Sequence, residues 1–155
     1  MSVPIAQRFG SYLSLISSTL RWKVTAQLLC DREFFITFLY PRAEEEYTLH
    51  HSERDADMMT VCSLEIDTLP SNARRTTNEI LARINDFPLA SITYLRGAEA
   101  PRLVGRSRSL CLRPEDAETV LQRCCRSLAS LGEAYRYERG KALADSWLFF
   151  AVPGS

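Results

Sequence analysis

The spacing of hydrophobic positions along this chain switches between a helical and a strand period, and the switches divide it into elements. Ile5, Phe9, Tyr12, Leu13, Ile16 and Leu20 recur at helical intervals behind Pro4, leaving Gln7, Arg8, Ser11 and Ser14 for solvent. This predicts a first helix, weakened at its end by the hydroxyl residues Ser17 to Thr19. From Leu20 the period becomes two. Leu20, Trp22, Val24, Ala26, Leu28 and Cys30 alternate with Arg21, Lys23, Thr25 and Gln27, which predicts a strand with one wet face. Asp31 to Glu33 supply a turn into a denser apolar strand, Phe34 to Tyr40, which Pro41 stops. A third strand is expected around Tyr47 to His50, then a charged loop from Ser52 to Asp57 and a fourth strand from Met58 to Thr68.

The stretch from Ser71 to Leu131 reads as two amphipathic helices flanking a hairpin. Pro70 ends the preceding strand and Ser71 can cap a helix whose apolar side is Ala73, Thr77, Ile80, Leu81, Ile84 and Phe87, with Pro88 as its stop. Leu89 to Leu95 and Arg102 to Leu112 are the expected hairpin strands, joined by turn residues Gly97 to Pro101. Leu103 and Val104 compete for the inward face, so Gly105 is a candidate bulge that resets the register before Leu110 and Leu112. Pro114, Glu115 and Asp116 open the next helix, where proline fits the first turn and carboxylates complement the dipole. Its stripe is Ala117, Val120, Leu121, Cys124, Leu128 and Leu131, and Gly132 is placed to end it, although Glu133 to Ala144 can continue or restart it. Ser146 to Val152, with Trp147, Leu148, Phe149 and Phe150 in a row, is too apolar for an idle terminus and is expected to be an added strand or packed segment, or else a sticky surface. The sum is one α+β domain over residues 1–155, an antiparallel sheet covered by helices in the order α-β-β-β(-β)-α-β-β-α.

Composition narrows the function classes. With 155 residues, 46% of them hydrophobic, one packed core is affordable. Lys plus Arg and Asp plus Glu balance at 19 each, so no net field draws nucleic acid or an anionic membrane, and neither is expected as a partner. The five cysteines are odd in number and lack CxxC spacing, reading as buried thiols of a cytoplasmic protein. No apolar run approaches the ~20 residues of a membrane helix, and without a basic start, apolar run and small-residue cleavage site no signal peptide is expected.

Candidate chemistry is sparse. His50 and His51, followed by Glu53, Asp55 and Asp57, raise a metal site, but neighbours on a strand point to opposite faces and make poor co-ligands. None of Cys62, Cys124 and Cys125 has a base assigned beside it by sequence, and of the adjacent pair one is expected in the core and the other on its flank. Glu44, Glu45 and Glu46 read as a solvated turn. No phosphate loop, GxSxG or HExxH occurs, so no catalytic residue, metal or cofactor is assigned. Arg96, Arg102, Arg106, Arg108 and Arg113 cluster around the hairpin, and arginine forks there, with Arg96, Arg106 and Arg108 foremost, support an alternative reading as a small anion- or nucleotide-binding regulator.

The stretch NEILARINDFPLASITYL, Asn78 to Leu95, followed by SLCLRPEDAETVLQRCCRSLASL, resembles the type III secretion chaperone-like fold group, which includes secretion chaperones and YbjN-type proteins. Shared with it are a helix ending in an Ile-Asn pair, a hairpin, and an acidic-started helix with spaced leucines. The neutral charge and the aromatic tail depart from that pattern. The resemblance implies a non-enzymatic protein that holds an extended partner segment, often as a homodimer, either chaperone-like or regulatory. Trp22, Phe35, Phe38, Trp147 and Phe149 are the expected partner-binding residues.

Overall fold

The computed structural model describes residues 3–43, 45–55, 57–63, 67–68, 74–84, 90–95 and 102–151. Helix α1 (Ile5–Ser14) leads into a π turn, Leu15–Thr19, where Ser17 Oγ donates to the Leu13 carbonyl at 2.7 Å. Hydroxyl competition for the backbone thus loosens the helix where the serines and threonine sit. Arg21, at φ 58°, then reverses the chain and folds Trp22 back onto the sheet.

Strands β1 (Val24–Leu29), β2 (Glu33–Tyr40), β3 (Glu45–Ser52), β4 (Met58–Ser63), β5 (Asp67–Thr68), β6 (Ala90–Leu95) and β7 (Arg102–Leu110) form one antiparallel sheet. Its order is β1-β2-β3-β4-β7; β6 lies on the far side of β7, and β5 continues the side taken by β4. β3 is longer than the sequence pattern predicts and takes in Glu45 and Glu46. Glu45 is no solvated turn residue, because its carboxylate pairs with Arg136. Helix α2 (Arg74–Ile84) buries Thr77, Ile80, Leu81 and Ile84, as its period predicts, while the expected cap Ser71, the apolar-side residues Ala73 and Phe87, and the stop Pro88 lie outside the described residues.

One face of the sheet carries the core. Phe34, Ile36, Phe38 and Tyr40 of β2 are buried with Tyr47 and Leu49 of β3, Met59 and Val61 of β4, and Leu103 of β7. A two-residue period places all of them on the same side of a continuous pairing. α1 covers the β2–β3 part, with the Phe9 and Tyr12 rings against Phe34 at 5.5 and 5.7 Å. α3 (Ala117–Ala151), entered through a short 3₁₀ turn at Pro114–Asp116, covers β4, β6 and β7. β7 offers it small residues: Gly105 and Ser107 face inward, and the Gly105 amide donates to Ser63 Oγ at 2.6 Å.

Five expectations need correction. Gly105 marks no bulge, because β7 pairs with β4 and β6 without a shift, so Leu110 and Leu112 stay 60% and 68% exposed. The bulge sits instead between Val24 and Ala26 on β1. One extra residue there turns every following side chain over, so Ala26, Leu28 and Cys30 do not continue the buried face that Trp22 and Val24 begin. Gly132 does not end α3, which runs on to Ala151 and makes the apolar tail helical rather than an added strand. Cys124 and Cys125 are both buried, with neither on a flank. Cys30, expected to be buried, is exposed.

Two consequences can be measured. Among the described residues the buried Tyr47 hydroxyl has no hydrogen-bond partner, and burial pushes its phenol well above the ordinary range. Tyr47→Phe removes that unsatisfied group without opening space and is expected to stabilise the fold by about 1 kcal/mol in urea unfolding. Burial likewise pushes up the Cys111, Cys124 and Cys125 thiols, with the Ser107 hydroxyl drawing Cys124 partly back. Alkylation of native protein followed by peptide mass analysis should therefore label Cys30 first and leave these three unmodified until the chain unfolds.

Candidate functional site

The opposite face of the sheet is covered by neither α1 nor α3, and strand register arranges its side chains in rows that cross the strands. The pairings Leu28 to Phe35, Phe35 to His50, His50 to Thr60 and Thr60 to Arg108 place one continuous row over β1, β2, β3, β4 and β7. A second row runs Ala26, Thr37, Thr48, Cys62, Arg106 and Ser91, ending on β6. Both rows are apolar or small at the β1 edge and carry an arginine where they cross β7.

The middle of the face is organised by side-chain contacts. Phe35 and His50 stack with ring centroids 4.5 Å apart and planes 9° from parallel. His50 Nε2 lies 2.9 Å from Glu33 Oε2, and the Thr37 and Thr48 hydroxyls meet at 3.1 Å. At the β7 end Arg108 reaches the exposed Asp55 carboxylate at 3.5 Å. Arg106 stands beside Cys62, whose thiol is pushed up by burial and drawn partly back by that guanidinium.

The two imidazoles lie on opposite sides of the sheet. His51 is buried on the core side, stacked on Phe34 at 5.4 Å, with the Arg8 guanidinium donating to its Nε2 at 3.3 Å. Because arginine only donates, Nε2 is the acceptor, which puts the ring proton on Nδ1. No group of three or more His, Cys, Asp or Glu among the described residues is placed to hold a metal ion.

The expected partner-binding residues separate into three groups. Phe35 projects from the uncovered face. Phe38, three residues further along the same strand, is fully buried, and Trp22 stacks on it at 5.4 Å and meets Tyr40 edge-on at 5.3 Å. Phe38 therefore belongs to the core and not to a contact surface, since it differs from Phe35 by an odd number of positions, and the half-buried Trp22 packs against it on the core side. Trp22→Ala should lower stability by about 2–3 kcal/mol, short of the full cost of a buried tryptophan because the ring is half-buried. Trp147 and Phe149 lie on the last turns of α3, and their side chains are outside the described residues. Of the alternative arginines, Arg106 and Arg108 share the outer side of β7 as alternate residues, while Arg96 lies outside the described residues. Leu28 and Thr60, which complete the row, were not singled out by sequence; strand register across five strands is what joins them.

A second concavity, a cavity of about 840 Å³, opens between α1 and the start of α3. Tyr12 and Cys111 line it, joined by a 3.8 Å contact from the phenol to the sulfur, and Arg8, Asp57, Glu115 and Glu118 surround them.

The architecture has counterparts among solved structures. The crystal structure of YbjN from E. coli superposes with a TM-score of 0.60 at 10% identity, over 81% of this chain and 90% of that one. This chain has a YbjN-type fold. The YbjN-type arrangement is also found in an uncharacterized protein from Methanothermobacter thermautotrophicus, with a TM-score of 0.52 at 8% identity over 81% and 95% of the two chains. No family model and no curated protein matches the sequence, so the YbjN-type likeness is one of three-dimensional form. Among the described residues of this YbjN-type fold, no helix is long and apolar enough to cross a membrane.

Proposed function

We infer that this protein is a non-enzymatic, cofactor-free binding module of the cytoplasm, chaperone-like or regulatory, that holds an extended segment of a partner polypeptide on its sheet. The reading is carried by β1. This edge strand is bonded only to β2 among the described residues, and Thr25 to Cys30 are all exposed. It contains no proline and no charged residue within Val24–Leu29, the devices by which sheet edges usually refuse a further strand. An added strand would satisfy its open amides and carbonyls, and Leu28, 56% exposed, would lie beside alternate side chains of that strand. Five unpaired thiols accord with a reducing compartment. YbjN is described in its own structure as a proposed transcription regulator, and a regulatory module acting through a bound partner accords with that description.

The test compares the full chain with Leu28→Asp and Phe35→Ser in recovery of bound polypeptides from a lysate. Loss of the same polypeptides by both variants, with unfolding midpoints near the parent's, supports the reading. Undiminished recovery by both overturns it. A molecular-mass measurement of the purified chain then tells whether a second copy, forming a homodimer, takes the edge.

A further inference from the structure

The two rows across the uncovered face carry charge in a graded way. Arg106 and Arg108 stand at the β7 end, joined on the same strand by Arg102, which is also exposed. Among the described residues no carboxylate pairs with Arg102 or Arg106, and Arg108 meets the exposed Asp55 at 3.5 Å. Apart from Asp55, the described acids of the face lie on β2 and β3: Glu33 is engaged by His50, and Glu46 is exposed opposite Leu39. A carboxylate approaching this face is therefore drawn to β7 and repelled from the β2–β3 end, where Leu28 and Phe35 offer apolar area instead.

Resting on the polypeptide-binding reading above, we propose that the partner chain, having paired along the β1 edge, turns and crosses the strands of the uncovered face, with an apolar or aromatic residue over Leu28 and Phe35 and its carboxylates on Arg106 and Arg108. Register sets the spacing. From β1 to β7 the row makes four inter-strand steps of about 4.8 Å, so Leu28 and Arg108 are about 19 Å apart. An extended chain covers that in about six residues at roughly 3.3 Å each. The occupant is thus an acidic–apolar segment of fixed separation, and the charge gradient sets its direction. Guanidinium forks suit this end because two bidentate carboxylate contacts hold orientation as well as affinity. Asp55 is the internal competitor and is displaced from Arg108 when the segment docks.

A selection of random 12-residue peptides on the full-length protein tests this directly. Enriched sequences should carry Asp or Glu near one end and Leu, Phe, Tyr or Trp about six positions away. A synthesised winner should bind Arg106→Ala/Arg108→Ala at least tenfold more weakly, weaken with added salt, and bind Arg106→Lys/Arg108→Lys with intermediate affinity, because lysine keeps the charge but loses the bidentate fork. Both arginines are exposed, so unchanged unfolding midpoints confirm that the alanine variants remain folded. Winners without acidic residues, or winners that bind the alanine variant as tightly as the parent, overturn this proposal and leave the polypeptide-binding reading standing. A selection that enriches nothing overturns both.

Discussion

Phe38→Ala is expected to cost about 3–5 kcal/mol of stability, a large part of what a domain of this size has to lose. The ring is fully buried, stacked by Trp22 on one side and met edge-on by Tyr47 at 6.4 Å, so its removal leaves a hole bounded by rigid aromatic neighbours. Such walls collapse poorly, which places the cost toward the upper part of the range for core truncations. Phe35→Ala, three residues away on the same strand, is expected to cost only about 1 kcal/mol, the scale of its stacking on His50. Urea unfolding of the two variants side by side checks the contrast, and partner recovery should show the reverse order among folded protein. Equal destabilisation by both would mean that the uncovered face is packed against something and is not open.

Gly132→Pro should be the most damaging single change in α3. Proline removes the amide bond to the preceding turn and forces its ring into that turn's carbonyl, a cost of about 3 kcal/mol or more in a helix interior. Beyond Gly132 lie fully buried Tyr135, the Arg136–Glu45 pair and the 3.5 Å pair between Arg83 of α2 and Glu138. A kink at residue 132 displaces all three from their partners. If the glycine instead ended the helix, as its position after Leu131 implies, proline just beyond would be tolerated. Circular dichroism and thermal unfolding separate the two: the continuous helix predicts loss of helical signal and a much lower midpoint.

Much of the fold was legible because burial is periodic. The stripe Ala117, Val120, Leu121, Cys124, Leu128 and Leu131 of α3 is buried as its spacing predicts, and so are Thr77, Ile80, Leu81 and Ile84 of α2. The sides of His50 and His51 followed from alternation alone. Where reading failed, a single residue or a distant contact had intervened. Thr25 is the extra residue of the β1 bulge, and a sequence of alternating residues carries no mark of where one position has been skipped. Gly132 carries a terminator's signature, but packing of α3 against α2 and its pairing with Glu45 of β3 outweigh a propensity penalty of about 1 kcal/mol.

The candidate site was half legible for the same reason. Chemistry points to Phe35, Arg106 and Arg108, which share the uncovered face, and equally to Phe38, which is fully buried, and to Trp22, which packs half-buried against it. Chemistry says which side chains can bind, but only register says which of them share a surface. Sequence by itself determined the class of fold, the alternation of layers and most of the buried set, because apolar area must leave water wherever it recurs in phase. Tertiary structure alone decided which face of β1 turns outward, how far α3 extends and that Leu28 stands in line with Arg108. Those outcomes depend on pairings between residues far apart in the chain, whose energies no local pattern contains.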